Sequence, residues 1–391
     1  MRILMLCSQI TGETGSFART AALGRCLQHR GHEVTILTAS PRPGVGVHPV
    51  NGACPRVLEA GGLAPRKVRS MGLDPTELIN RIAGVTADVD VVHVFSHRPT
   101  VAGHVAWFRR RRIPVLYDWA DLVGRGGLAS NRRDPLGRLL GVIDDWLERA
   151  MVRSADGITA ITTFLAKRAV SQGIAPTAVW HIPAGADVSG ITPQDRRLAR
   201  QAIGLPVDST IVGFAGFHRW DADLVADTLA HMFPRNPALI FTAAGPAAGF
   251  IQRRLHPRWR SRMVRFPALY GLDYVRWLAS ADVLLLPYPH RSYNVARFPN
   301  KLGDYLAAGR AIVTNRTGDM GAMLDGSGAA LLVGESPQEL AEGISRCLAD
   351  SQLRESLERQ SREFAETAFR WDMVAARLET AYAETIVRVG A

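Results

Sequence analysis

The stretch "ADVLLLPYPHRSYNVARFPNKLGDYLAAGRAIVTN", Ala281 to Asn315, reads as a buried strand, a polar loop, a helix and a second buried strand. The first strand ends at Pro287. Pro299 and Asn300 suit the opening of a helix, and Gly309 is placed to end it as a C-cap. A strand that returns through a helix to another apolar, β-branched strand is the repeating unit of a parallel sheet. The same alternation fills the chain. In the first half the expected strands are "RILMLCS", "EVTILTA", "DVVHVFS", "IPVLYD", "DGITAIT" and "AVWHIPA"; in the second they are "TIVGFAG", "ALIFTAAG", "RMVRFP", "DVLLLPY", "AIVTN" and "AALLV". The spacing therefore predicts an α/β protein of two Rossmann-like, doubly wound domains.

Between the two series lies "AGADVSGITPQDRR", Ala184 to Arg197, which is rich in Gly, Pro and polar residues and has no periodicity. The expected organisation is an N-terminal domain over 1–190, a C-terminal domain over 191–368, and a last helix over 369–391. That helix aligns Trp371, Val374, Leu378 and Tyr382 on one stripe, so it must dock on another surface.

The chain has 391 residues, enough for two cores, with 47% apolar and 21% charged residues. No apolar run approaches the length of a membrane span. The N-terminal run in "MRILMLCSQI" is shorter than a signal-peptide core and reads as a first strand. Cys7, Cys26, Cys54 and Cys347 are widely spaced, which fits free thiols in a cytoplasmic protein. A net charge of +11 points to acidic or phosphate-bearing partners. The run Arg109 to Arg112 precedes a strand, where it either caps the C-terminal end of a helix or meets a membrane or acceptor.

Ligands of open parallel sheets collect beyond the carboxyl ends of the strands. After the first strand, Gly12 and Gly15 permit a tight loop whose N–H groups face an anion or sugar oxygens. The glycine spacing does not match a dinucleotide fingerprint, and no acid closes "EVTILTA", which argues against a nicotinamide cofactor. In "VGFAGFHRWDADL", Gly213 and Gly216 bracket a strand end, followed by His218 and Arg219. Arg219 reads either as a diphosphate partner or as a surface arginine packed over Trp220. Asp221 and Asp223 sit at a helix start, where N-capping explains them better than a metal site. Asp88 and Asp90 precede their strand and so lie at the wrong end of the sheet.

Lys301 is one of three lysines in a chain with forty-four arginines, and it falls in the first turn of the helix after "RFPN". An ammonium beside a helix N-terminus grips a phosphate, and Asp304, one turn on, accepts hydrogen bonds from vicinal hydroxyls such as those of ribose. The alternative is an i to i+3 ion pair, which the charge order disfavours because a lysine at the N-terminal end opposes the dipole.

With these residues in view, the chain resembles the GT-B nucleotide-sugar glycosyltransferases, family 4 of the retaining enzymes, nearly end to end. "LQHRGHEVTILT", "ADGITAITTFLAKRA", "IPAGAD", "PNKLGDYLAAGRAIVTN" and "FRWDMVAARLETAY" resemble family segments in order and spacing. The resemblance implies two Rossmann-like domains facing a central cleft, an N-terminal acceptor domain, and a last helix that returns to it. It places Asp304 at the ribose and Lys301, in a P-x-K variant of the E-x7-E motif, at the diphosphate opposite Arg219. Gly15, Ser16, Gly216, His218, Asn300 and Leu302 complete the implied donor contacts. The first glutamate of the motif is Ala296 here, which leaves the donor sugar to Asn294 or Arg297. The family's cleft histidine is also absent, so the acceptor-side candidates are Asp118, Asp121 and His97, the last equally readable as structural.

The implied reaction is metal-independent transfer of a sugar, with retention, from a UDP- or GDP-linked donor. The expected acceptor is a small molecule of specialised metabolism, such as antibiotic biosynthesis. Lipid-linked or polysaccharide acceptors, a GT-B epimerase and a non-catalytic binding module are the alternatives. No cofactor, metal or nucleic acid is expected; a peripheral membrane contact is allowed, and the chain is expected to be a monomer or homodimer.

Overall fold

The computed structural model describes residues 1–13, 15–85, 88–132, 134–216 and 221–390. The chain divides into two compact units: unit 1 comprises Met1–Ala184, Val295–Phe298 and Trp371–Ala391, and unit 2 comprises Gly185–Asn294 and Pro299–Arg370.

Unit 1 carries β1 (Arg2–Ile10), β2 (Glu33–Ala39), β3 (Val47–Pro49), β4 (Arg56–Ala60), β5 (Val91–Phe95), β6 (Val115–Trp119), β7 (Gly157–Ala160) and β8 (Val179–His181). Their order in the sheet is β3-β4-β2-β1-β5-β6-β7-β8, parallel throughout except for the antiparallel β3–β4 pair at the edge. Those two edge strands were not expected. β3 is short and mostly exposed, β4 carries Arg56 and Glu59 and is only partly buried, and Pro49, Gly52 and Pro55 break the apolar pattern around them.

Unit 2 carries β9 (Thr210–Ala215), β10 (Leu239–Ala244), β11 (Met263–Phe266), β12 (Val283–Leu286), β13 (Ala311–Asn315) and β14 (Leu331–Val333), ordered β11-β10-β9-β12-β13-β14 and all parallel. The order reverses between β9 and β12, so the carboxyl end of β9 borders the crevice where such sheets bind ligands. In unit 1 the reversal falls between β1 and β5. The central strands are buried on both faces, which is why they read as continuous apolar runs rather than as alternation.

The core of unit 2 packs Val212, Phe214, Phe241, Leu285 and Val313 of the sheet against Val225, Leu229, Leu340 and Ile344 of helices. In unit 1, Ile3, Met5, Val91 and Phe95 meet Leu23 and Leu27 of the helix Gly15–His29 and Val374, Leu378 and Tyr382 of the helix Trp371–Gly390. The stripe read from the sequence is thus the docking face of that last helix. Among the described residues no helix is long and apolar enough to cross a membrane.

Beneath this apolar layer runs a buried polar chain. Arg19 donates from Nε and Nη2 to both oxygens of Asp118, each at 3.0 Å, and from Nη1 and Nη2 to the carbonyls of Pro183 and Ile182, each at 2.7 Å. Thr159 Oγ1 donates to Asp118 Oδ1 at 2.9 Å, His93 Nε2 lies 2.9 Å from that hydroxyl, and His93 Nδ1 lies 2.8 Å from the Tyr382 hydroxyl. Burial lowers the His93 pKa to about 4, so the imidazole is a neutral link. Removing one member of a buried pair strands the other charge. Asp118→Ala is therefore expected to destabilise unit 1 by about 3–5 kcal/mol, read by urea unfolding, with Tyr382→Phe costing about 1 kcal/mol.

Candidate active site

At the carboxyl end of β9 the backbone of Ala215 is held at both its N–H and its carbonyl. Its N–H donates to the Tyr305 hydroxyl at 2.9 Å, and its carbonyl accepts from Lys301 Nζ at 2.5 Å. The ammonium also lies 5.0 Å from the centre of the Phe214 ring. Both partners come from the helix Asn300–Ala307, which follows Pro299 at its N-cap position. The helix can come this close because position 303 is glycine: a Cβ there would stand 2.3 Å from the Gly185 carbonyl oxygen. Gly309, with φ +61°, then ends it as the sequence predicts.

One turn beyond Lys301, Asp304 Oδ2 accepts from the Tyr274 hydroxyl at 3.0 Å. Burial raises the Asp304 pKa to about 7; the Tyr274 bond and the Lys301 charge pull it down, and Asp187 pushes it further up. Lys301 and Asp304 are therefore brought together in unit 2 at a strand end. Asn300 begins the helix, and Leu302 is fully buried with its N–H donating to the Pro299 carbonyl at 3.0 Å. Gly216 donates to the Ala244 carbonyl and accepts from the Ala247 N–H. His218 and Arg219 lie outside the described residues. Asn294 is buried, and its Nδ2 donates to the Pro289 carbonyl at 2.7 Å.

Asp221 sits at the N-cap position of the helix Ala222–Met232 but makes no side-chain capping bond, and Asp223 pairs with Arg254 Nε at 2.8 Å. The N-cap reading of this D-x-D is thereby corrected, since the Asp223 carboxylate is drawn to a neighbouring helix instead.

In unit 1, Gly15 and Ser16 begin the helix after β1. The acceptor-side candidates separate sharply. Asp118 is consumed by Arg19 and Thr159, so the reading of it as an acceptor base gives way to a structural role. His97 is buried, 4.0 Å from Asp144, and burial lowers its pKa to about 3. Asp144 in turn is held by Arg98 and Arg132, so His97 is a neutral imidazole beside an already satisfied carboxylate. Asp121, just past the end of β6, is only partly covered. Burial lifts its pKa to about 6, with the Arg297 charge pulling it down and the Asp118 charge pushing it further up. Ala296 is fully buried, its carbonyl accepting from Thr162 Oγ1 at 3.1 Å, so the missing glutamate is replaced by packing.

Two family models match the chain: a "glycosyl transferase 4-like domain" over residues 14–185 and a "glycosyl transferase-like" domain over residues 226–380. A D-inositol 3-phosphate glycosyltransferase of Geodermatophilus obscurus is 28% identical, with 92% of this chain and 82% of the relative covered. The chain belongs to the family 4 glycosyltransferases of GT-B fold. Sucrose-phosphate synthase from Thermosynechococcus elongatus superposes on it with a TM-score of 0.74 at 18% identity, covering 99% of this chain and 100% of the other. HepE of Anabaena, solved with UDP-glucose, superposes with a TM-score of 0.71 at 15% identity, covering 98% and 100%.

In this glycosyltransferase two site residues escaped the sequence. Tyr274 and Tyr305 hold Asp304 and Ala215, but each looks in sequence like one more apolar position of an amphipathic helix. Their hydroxyls show a role only in three dimensions. A carboxylate with a raised pKa binds its proton more tightly folded than unfolded, so its burial costs stability as pH rises from about 4 through about 7. Asp304→Asn should therefore raise the melting temperature of the glycosyltransferase at pH 8 and leave it unchanged near pH 4, while weakening nucleotide binding; thermal melts across that range check it.

Proposed function

We propose that the enzyme transfers a sugar from a nucleoside diphosphate donor, UDP- or GDP-linked, to an acceptor hydroxyl with retention of configuration and without a metal ion. The observation that carries this reading is the pair Lys301 and Asp304 on successive turns of one helix at the carboxyl end of β9. As the bond from the sugar to the diphosphate breaks, negative charge grows on the leaving oxygen. A fixed ammonium and a helix N-terminus stabilise that charge without reorganising. Asp304 in its carboxylate form takes the ribose hydroxyls, and Tyr274 fixes the orientation of its other lone pairs. We assign donor binding to unit 2 and acceptor binding to unit 1. Of the acceptor-side groups, Asp121, poised at about 6, is the one suited to receive a proton near neutrality.

The acceptor is proposed to be a small polyhydroxylated molecule of specialised metabolism, in keeping with relatives named for an inositol phosphate acceptor. The four free cysteines suit a cytoplasmic setting. A second reading, a lipid-linked acceptor, is favoured by the outward face of the helix Pro135–Ser154, whose apolar side chains are exposed.

Lys301→Ala is expected to lower kcat/KM by about 10²–10³, measured as product formed from radiolabelled UDP- and GDP-sugars, and wild-type transfer should persist in EDTA. Wild-type behaviour of the variant would remove the leaving-group assignment. Loss of activity in EDTA, restored by magnesium, would remove metal independence. Asp121→Asn should remove from the acidic limb of kcat/KM the component near pH 6 and leave the one that Asp304 sets near pH 7; an unchanged component near pH 6 would assign the proton to another group.

A further inference from the structure

The helix Pro135–Ser154 is built the wrong way round for a surface helix. Its inward side carries charge. Glu148 accepts from the Trp119 indole at 2.9 Å and from the Val123 and Gly124 N–H groups at 3.0 and 2.8 Å, and Asp144 is held by Arg98 and Arg132. Its outward side is apolar. Leu136, Leu139, Val142, Ile143 and Trp146 are between 44% and 67% exposed, and Leu136, Leu139, Ile143 and Trp146 follow one another at the three- and four-residue steps of a single stripe. Burying such side chains is the largest favourable term available to a helix, so a stripe of them turned to water marks a surface meant to be covered.

The charge around the stripe states what covers it. None of the three acids of the helix is exposed: Asp144 and Glu148 are buried, and Asp145 is tied to Arg149 and to the Arg125 N–H. Arg138, Arg149 and Arg153 are exposed on the same helix. Next to it, a cavity of about 590 Å³ has Val105, Trp146 and Ala150 in its wall with Arg110 and Arg112 beside them, while Arg109 there is paired with Asp156 at 3.1 Å. An apolar stripe flanked by arginines, with no exposed acid on the helix, is complementary to an anionic lipid bilayer: acyl chains take the Leu, Ile and Trp side chains, and lipid phosphates take the guanidinium groups. A protein partner would need a matching acidic rim around an apolar groove; a bilayer supplies both over any area.

We propose that unit 1 docks peripherally on anionic membranes through the outward face of the helix Pro135–Ser154 and the arginines at 109–112. The surface does not include the residues assigned to the donor. Docking is therefore read separately from transfer, and failure of one leaves the other standing.

The test is co-sedimentation of the full chain with vesicles of phosphatidylcholine alone or mixed equally with phosphatidylglycerol. The wild type should pellet with the mixed vesicles about tenfold more strongly than with the neutral ones, and high salt should release it. The variant L139Q/I143Q/W146Q should lose binding about tenfold or more while keeping its melting temperature and its activity on a water-soluble acceptor, because these side chains are exposed. R110Q/R112Q/R138Q should retain weak binding but no longer prefer the anionic vesicles. Wild-type protein that stays in the supernatant with mixed vesicles at low salt overturns the proposal. So does a wild-type dimer that L139Q/I143Q/W146Q converts to monomer without any vesicle binding, which would assign the face to a second copy of the chain.

Discussion

The ion pair between Arg19 and Asp118 organises unit 1. Both side chains are almost wholly excluded from water, so the pair is tolerable only because four of the five guanidinium N–H groups and both carboxylate oxygens are used. Through it the first helix is fixed to β6 and to the backbone just after β8, and through Thr159 and His93 the contact extends across β7 and β5 to Tyr382 on the last helix. The position of the helix after β1 is thus set by a polar contact deep in the sheet rather than by the loop itself.

Unit 2 uses a smaller device of the same kind. Lys301 and Tyr305 hold the N–H and the carbonyl of one residue, Ala215, at the end of β9, and the glycine at 303 lets their helix approach Gly185 closely enough to do so. The lysine is kept where arginine is otherwise almost universal. A compact ammonium reaches the Ala215 carbonyl from within the first turn of the helix, where a planar guanidinium with its longer fork would not fit the same short contact. The same ammonium adds positive charge at the start of that helix, beside the end of β9.

Much of this was legible in the chain. The central strands of both sheets announce themselves because they are buried on both faces, and the helix around Lys301 and Asp304 is bounded by Pro299 and Gly309. The edge hairpin β3–β4 was not legible, since β3 has three mostly exposed residues ending in Pro49, and β4, with Arg56 and Glu59, is only partly buried. Asp118, Asp121 and His97 were indistinguishable as residues placed near strand ends. Their environments differ: one is paired with a buried arginine, one is partly open, and one is a neutral imidazole in the interior.

The sequence by itself determined the fold class, the family segments and the helix that carries Lys301 and Asp304, because local periodicity and cap residues are written in neighbouring positions. Only the tertiary structure decided which polar residues are structural and which are open to a ligand, and which face of the helix Pro135–Ser154 looks outward. Those outcomes rest on partners far apart in the chain, Arg19 with Asp118, Trp119 with Glu148 and Tyr274 with Asp304, and desolvation of a charge depends on where such partners meet.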